Sequence, residues 1–214
     1  MKTKPKMILF DYGHTLLCEA GFNSLRGKEA LFRYIKNNKN NLTPAQIDEF
    51  AQDLFNKIRV VREVGMEIHQ WHVDRLLCEY LEIEFSVPPA EAESIFWNNA
   101  SCGTIMPNAD KMLDYINANG IRSGVISNIG WSGTALAERI NRLLPRNRFE
   151  FIIASSECVF RKPNPMLFEL ALKKAGLDAS DVWFCGDSVK NDVEAAAAVD
   201  IFPVWYDDDV MDND

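Results

Sequence analysis

The sequence predicts an α/β protein, in which a doubly wound parallel sheet carries an all-α segment inserted after its first strand. Residues 7–10 are four apolar residues in a row, a pattern typical of a strand buried on both faces. Residues 18–102 carry helical apolar periodicity and no strand signal. From Pro107 onward, short apolar runs alternate with helical segments, as they do in βαβ units. We therefore expect a Rossmann-like core formed by residues 1–17 and 103–214, with a helical cap at 18–102.

The composition is that of an ordinary globular protein. The 214 residues are 47% hydrophobic and 25% charged, with a net charge of −8. This acidic balance argues against nucleic-acid binding, which needs a basic face, but a metal ion can still admit a small phosphorylated substrate. The basic N-terminus is too short for a signal peptide, and no apolar run reaches membrane-spanning length. The five cysteines are scattered, as is typical of reduced, buried thiols. We expect a soluble, cytoplasmic protein with no membrane partner.

The inserted segment is predicted to be a bundle of helices. Its clearest helix start is Thr43-Pro44-Ala45-Gln46, which supplies an N-cap, a first-turn proline and a capping-box glutamine. Apolar residues recur at helical spacing before and after this point, at Leu25, Leu31, Phe32, Ile35, Ile47, Phe50, Leu54, Ile58, Leu76, Leu77, Tyr80, Ile95 and Phe96. Hinges between the segment and the core are expected near residues 17–20 and 101–106.

The second half of the chain is predicted to supply the other four strands and their crossover helices. Its strands are expected at residues 123–126, 149–153, 182–185 and 201–205, and its helices at 109–119, around Leu136 and Ile140, at 164–176 and at 193–198. Gly120 and Gly176 are placed to end two of these helices. The tail from Asp207 onward is expected to be a solvated acidic end and no metal site.

Polar residues follow three of the predicted strands directly. Asp11, Ser127-Asn128 and Asp187 stand at strand ends, and Arg161-Lys162-Pro163 lies in a loop before a helix. In open α/β sheets the carboxyl ends of the strands form the ligand site, so these residues are expected to meet. Two carboxylates at adjacent strand ends repel each other unless a cation lies between them.

These fragments, in this order, resemble the motifs of the haloacid dehalogenase (HAD) superfamily of hydrolases with a helical cap inserted after the first strand. The matching motifs are Asp11-Tyr12-Gly13-His14-Thr15-Leu16, Ser127-Asn128, Lys162-Pro163, and Gly186-Asp187-Ser188 with Asn191-Asp192. The resemblance covers nearly the whole chain. It implies a Mg²⁺-dependent hydrolase, and in the first place a phosphatase of a small phosphorylated metabolite.

The resemblance also assigns roles to individual residues. Asp11 is the expected nucleophile, which forms an aspartyl-phosphate, and Lys162 offsets the charge between it and the phosphoryl group. Ser127 is expected to donate hydrogen bonds to phosphoryl oxygens. The remaining expectations are substrate binding by Asn128, Thr15 and Ser188, and a Mg²⁺ site formed by Asp11, the Gly13 carbonyl, Asp187 and Asp192.

The first motif departs from the family pattern at Gly13. Phosphatases of the superfamily carry a second aspartate there, which acts as general acid and base, a contribution worth about 10²–10⁴-fold in rate. Four explanations stay open. His14 replaces the missing acid; the enzyme is a phosphonatase that uses a cap lysine such as Lys57; it is a metal-free dehalogenase, which Gly186-Asp187 disfavours; or it is a catalytically weak protein that binds metal or phosphate.

Three residues carry weaker signals. His69 and His72 lie on one helical face without a third ligand nearby in sequence, so a surface position is favoured over a metal site. Trp131 follows the Ser127-Asn128 motif closely and is expected to shape the site.

Overall fold

The computed structural model describes residues 4–207, so most of the predicted acidic tail lies outside the described residues. Its strands are β1 (Met7–Phe10), β2 (Leu17–Cys18), β3 (Ile35–Asn38), β4 (Ile83–Phe85), β5 (Thr104–Ile105), β6 (Arg122–Ser127), β7 (Phe149–Ala154), β8 (Val182–Gly186) and β9 (Phe202–Trp205). Its helices are α1 (Ser24–Phe32), α2 (Pro44–Ile58), α3 (Val60–Glu63), α4 (Gln70–Leu81), α5 (Pro89–Ala100), α6 (Ala109–Ala118), α7 (Gly133–Leu143), α8 (Pro165–Ala175) and α9 (Ala195–Ala197).

Five parallel strands form the central sheet in the order β7-β6-β1-β8-β9. The chain moves outward from β1 in one direction and then returns to add strands on its other side. This reversal makes the junction of β1 and β8 the switch point of a doubly wound sheet, where such folds bind ligands. The predicted α/β fold class is confirmed.

Strand β1 is the centre of the hydrophobic core, as its apolar run predicts. Phe10 packs in a cluster with Leu136 and Ile140 of α7, while Leu9 packs on the opposite face with Phe168 and Phe184. Both β1 side chains are almost fully buried. Because burial of a large apolar side chain contributes about 1.5–3 kcal/mol, the sheet is anchored from both faces at the strand that leads into Asp11.

The inserted segment between β2 and β5 contains α1 to α5, but it is not all-helical as predicted. β3 and β4 pair antiparallel within it, with Ile35 opposite Phe85 and Asn38 opposite Ile83. Ile35 therefore belongs to a strand, because α1 already ends at Phe32. Neither strand has a clear local pattern, and their pairing joins residues that are far apart in sequence.

A second short ribbon joins the insert to the core. β2 pairs antiparallel with β5, Leu17 opposite Ile105 and Cys18 opposite Thr104. This ribbon coincides with the two predicted hinge regions, whose mobility stays a prediction. The boundaries predicted for the insert, 18–102, fall at this ribbon and also stay a prediction.

Capping signals in the sequence mark several helix ends correctly. Thr43 and Gln46 form a reciprocal capping box at the start of α2. Asn164 caps α8, which ends at Gly176 with a φ of 62°. The predicted helix at 193–198 differs, because a π-helix (Val189–Glu194) precedes the short α9.

The five cysteines are free thiols, as expected. Buried positions were predicted for all of them, but only Cys18 and Cys185 are buried, while Cys78 and Cys158 are half-buried and Cys102 is exposed. None of the helices within residues 4–207 has the length and apolar character needed to cross a bilayer.

Candidate active site

The carboxyl ends of β1, β6 and β8 bring the predicted site residues together. Phe10, the last residue of β1, lies beside Val125 on one side and Cys185 on the other, so the three strands end at nearly the same level. The Asp11 backbone N–H continues this pairing with a 2.9 Å hydrogen bond to the Cys185 carbonyl. A cavity of about 350 Å³ opens at this edge, lined in part by Asp11, Ser127 and Asp187.

Lys162 is the central cation of the site. Its Nζ donates hydrogen bonds to Asp11 Oδ1 at 2.7 Å and to Asp192 Oδ1 at 2.6 Å, and the side chain is buried. Burial alone lowers the pKa of Lys162, but the two carboxylates outweigh it and raise the pKa above its ordinary value. Lys162 is therefore a permanent positive charge beside the predicted nucleophile.

The carboxylates of the site are crowded, and their crowding favours a bound cation. Burial, followed by the charges of Asp192 and Asp187, raises the pKa of Asp11 to about 6 despite the opposing effect of Lys162. Burial also raises the pKa of Asp187. Carboxylate oxygens of Asp11, Asp187 and Asp192 lie within 4.8 Å of one another, and one lysine cannot offset three carboxylates. This oxygen-only donor set can hold a metal ion.

Asp192 contacts the lysine as well as the acidic cluster. One carboxylate oxygen accepts from Lys162, and the other accepts from the Ser188 backbone N–H at 3.0 Å. The π-helix brings Asp192 against Gly186, where an added Cβ would lie 2.4 Å from the Asp192 carboxyl carbon. Only glycine at 186 permits this approach. The metal role predicted for Asp192 stays a prediction, and its contacts show a part in holding Lys162.

Asn128 was predicted to bind substrate, and its amide group lies on the backbone of Lys162. Its Oδ1 accepts from the Lys162 N–H at 2.7 Å, and its Nδ2 donates to the Lys162 carbonyl at 2.9 Å. Together these two hydrogen bonds fix the backbone from which the lysine side chain extends. Sequence reasoning missed this contact because it joins loops after two different strands.

The other predicted residues lie in or near the cavity with differing contacts. Thr15 is buried and its hydroxyl donates to Asp187 Oδ1 at 3.5 Å, so it orients a carboxylate of the site. Ser188 lines the cavity, and its hydroxyl oxygen accepts from the backbone and side-chain amides of Asn191. Gly13 and His14 also line the cavity, and His14 has a left-handed φ of 52°.

Residues with no assigned role also line the cavity. Glu19 accepts hydrogen bonds from the Tyr12 hydroxyl at 2.5 Å and from Arg139 at 2.6 Å. Trp97 of the insert stacks on Trp131, with ring centroids 5.2 Å apart, and both reach the cavity. The expected role of Trp131 in shaping the site agrees with this position. No sequence signal identified Glu19, and the sequence favoured an ordinary packing role for Trp97, since the contacts of both residues depend on distant partners.

The weaker sequence candidates lie elsewhere. Lys57 is exposed and paired with Asp53 on the surface of α2. His69 caps α4 by accepting from the Trp71 N–H, and its ring lies 6.0 Å from that of His72. Across residues 4–207, Asp11, Asp187 and Asp192 form the one cluster of acidic, histidine or cysteine ligands able to hold a metal. The surface position predicted for the two histidines agrees with these contacts.

A model of haloacid dehalogenase-like hydrolases matches residues 5–200, so the chain belongs to this family of hydrolases. Among curated relatives, the glyceraldehyde 3-phosphate phosphatase of Pyrococcus abyssi is 26% identical over 94% of this chain and 81% of its own length. Among solved structures, a HAD phosphatase from Thermococcus onnurineus superposes with a TM-score of 0.63 at 18% identity, covering 100% of this chain and 88% of that one.

A 2-haloacid dehalogenase from Pseudomonas syringae pv. Tomato DC3000 superposes almost equally well, with a TM-score of 0.62 at 21% identity and coverage of 94% of this chain and 86% of that one. Phosphatase and dehalogenase structures thus match the same fold, and at these identities they establish the fold alone. The predicted family is confirmed, and the choice of reaction depends on the side chains of the site.

Proposed function

We propose that the protein is a Mg²⁺-dependent phosphatase of a small phosphorylated metabolite, acting through an aspartyl-phosphate on Asp11. The relatives named as phosphatases support a phosphoric monoester hydrolase of the HAD type. The observation that carries the finer proposal is the buried contact of Lys162 with Asp11 and Asp192 at the carboxyl edge of the sheet. A protein that only binds metal or phosphate has no need of a nucleophile held in this way.

The first step is attack of an Asp11 carboxylate oxygen on phosphorus, which forms the aspartyl-phosphate while the bond from phosphorus to the leaving-group oxygen breaks. Lys162 donates a hydrogen bond to the other oxygen of that carboxylate, Oδ1, and offsets repulsion as the dianionic phosphoryl group approaches. Ser127, which lines the cavity, donates a hydrogen bond to a phosphoryl oxygen. Asp11, Asp187 and the Gly13 carbonyl are the proposed Mg²⁺ ligands, and the ion, when bound, supplies the further positive charge that this step requires.

The second step is hydrolysis of the aspartyl-phosphate by water. Both steps move a proton, since the leaving alkoxide must gain one and the attacking water must lose one. Gly13 has no side chain to do this, and His14 is the titratable neighbour on the same cavity wall. We propose His14 as the acid and base, a role that is expected to be less efficient than that of the usual aspartate.

The alternative chemistries have less support. A phosphonatase needs a cap lysine that is neutral and reaches the site, whereas Lys57 is exposed and its bond to Asp53 raises its pKa. A metal-free dehalogenase has no use for three carboxylates within 4.8 Å of one another.

The test is a substrate screen with matched variants. Acetyl phosphate, whose leaving group needs little protonation, is expected to be hydrolysed with Mg²⁺ and not with EDTA. Asp11→Asn should abolish turnover and the acid-stable phosphoenzyme trapped from labelled substrate, by at least about 10³-fold. His14→Ala should slow a sugar phosphate more than acetyl phosphate. Turnover that persists in Asp11→Asn would contradict the proposal.

A further inference from the structure

Arg161 stands immediately before Lys162 and has donors that the protein does not use. Its guanidinium lies 3.3 Å from Glu67 Oε2 as an ion pair, yet it makes no hydrogen bond to any residue in 4–207, and its buried Nη1 has no acceptor. The side chain is 19% exposed and lines the reaction cavity. A guanidinium that is largely withdrawn from solvent normally fills its fork of N–H groups, so Arg161 has donors available for an anion in the cavity.

The charge around Arg161 is also incomplete. Glu67 is buried and is shared by two guanidiniums, since its Oε1 accepts from Arg62 Nε at 2.9 Å. The group of Arg62, Arg161 and Glu67 therefore carries one net positive charge. Burial lowers the pKa of Arg161 and the charge of Arg62 adds to this effect, while Glu67 opposes it. A half-buried cation without a full counter-charge attracts an anion.

The location of this group indicates what part of a substrate it meets. Arg161 lines the reaction cavity, and Arg62 lines a neighbouring chamber of about 440 Å³ between the insert and the core. Asn128, Ile129 and Trp131 line both spaces, so the chamber adjoins the reaction cavity. Within the proposed mechanism the phosphoryl group already faces Lys162 and Ser127. The arginines thus lie where the leaving group extends away from phosphorus.

We propose that Arg161 is a specificity-determining residue that binds a second anionic group on the leaving group, so that the substrates are phosphomonoesters carrying a carboxylate or another phosphate. This inference rests on the proposed phosphatase function. The planar fork of an arginine matches both anions through paired hydrogen bonds. The neighbouring Glu67 holds the guanidinium in place without saturating it.

The experiment compares two substrates that differ in one group. 3-Phosphoglycerate carries a carboxylate where glyceraldehyde 3-phosphate carries an aldehyde. The wild type is expected to have the higher kcat/KM for the acid. Arg161→Gln should lower the ratio of the two kcat/KM values by about 10–100-fold, through the KM of the acid, because a hydrogen bond to a charged group contributes about 1.5–3 kcal/mol. Arg161→Lys should restore part of the ratio.

The control variant is Arg146→Gln, which removes an exposed arginine paired with Asp114 and should leave the ratio unchanged. Fructose 1,6-bisphosphate and fructose 6-phosphate repeat the comparison for a second phosphate. If Arg161→Gln lowers the ratio of kcat/KM values only for this pair, the bound anion is a phosphate. Equal loss for acid and aldehyde, together with equal loss for the two fructose phosphates, would overturn the inference, because a general weakening of the site or of the insert affects every substrate alike. Failure of the wild type to hydrolyse acetyl phosphate would instead refute the proposed function itself.

Discussion

Charged side chains have different surroundings in two neighbouring regions. One is the reaction edge, the carboxyl edge of the sheet around Asp11, Lys162 and Asp187, and the other is the chamber of about 440 Å³ beside it. At the reaction edge Lys162 has two carboxylate partners, and Asn128 fixes its backbone with two hydrogen bonds. In the chamber, Lys28 is buried against the Phe96 ring and has no hydrogen bond or ion pair with any residue that the structure describes. Asp48 uses one carboxylate oxygen, while its Oδ1 has no donor.

The difference shows which part of the site depends on a ligand. A charge that is already paired and held in position needs little reorganisation when the substrate arrives, which is the condition for electrostatic catalysis. Unpaired groups in the chamber gain partners only when something binds. We interpret the first region as the part that performs the reaction and the second as the part that selects the leaving group.

Replacing each of the two buried lysines in turn is the strongest test of this difference between the reaction edge and the chamber. Lys162→Met leaves Asp11 and Asp192 buried without their cation, so we expect a loss of about 3–5 kcal/mol in the free energy of unfolding and loss of activity. Lys28→Met removes no ion pair, but it removes the cation over the Phe96 ring, so we expect a smaller loss of about 1–2 kcal/mol. Urea unfolding measures both. Equal losses from the two variants would show that the regions do not differ.

Restoring an aspartate at Gly13 tests whether His14, the proposed acid and base, is less efficient than the aspartate usual at position 13. An added Cβ would lie 3.9 Å from Asp11 Oδ2, which is ordinary contact, so a side chain can begin at position 13 without a clash at its Cβ. Because His14 already supplies part of the about 10²–10⁴-fold contribution of general acid–base catalysis, we expect kcat for a sugar phosphate to rise by less than that factor, with a much smaller gain for acetyl phosphate. Gly13→Asn provides the matched side chain that cannot transfer the proton. A similar gain in Gly13→Asn would exclude proton transfer as the cause.

A substitution at Asn128 tests the two regions together, because this residue lines both the reaction cavity and the chamber. Asn128→Asp keeps the acceptor for the Lys162 N–H but loses the donor to its carbonyl. We expect kcat to fall by about 10–100-fold for every substrate, acetyl phosphate included, since one hydrogen bond is replaced by repulsion. Steady-state kinetics distinguish the outcomes. A rise in KM alone, confined to larger substrates, would return Asn128 to the substrate-binding role that the sequence suggested.

The smallest expected effect is a change in stability at Val159, three residues before Lys162. Val159 has a φ of 65°, which is strained for a β-branched residue, and its carbonyl accepts from the Glu67 N–H at 2.6 Å. Val159→Gly should relieve about 1 kcal/mol of strain and raise the thermal midpoint, with kinetics unchanged. Val64→Gly, at an exposed valine without positive φ, serves as the control and should not stabilise the protein. A lower midpoint in Val159→Gly would show that the side chain contributes more than the strain costs.

Local sequence signals predicted the fold class and several helix ends. The apolar run of β1, the βαβ alternation after Pro107 and the caps at Thr43 and Asn164 each act within a few residues. The element that was predicted wrongly depends instead on a contact between residues far apart in sequence. The strand at Ile35 was missed because its partner Phe85 lies fifty positions later, and its own residues have no strand periodicity.

The same division applies to the site. The sequence by itself determined that Asp11, Ser127 and Asp187 would stand at one edge of a sheet, because a buried strand followed by a polar residue exposes that residue at the strand end. Only the tertiary structure decided that Asn128 holds the backbone of Lys162, that Glu19 joins Tyr12 to Arg139, and that two arginines share Glu67. Contacts of this kind join residues as many as 120 positions apart. Packing brings complementary charges and hydrogen-bonding groups within reach of each other. The residues next to one partner in the sequence do not indicate which residue the other partner is.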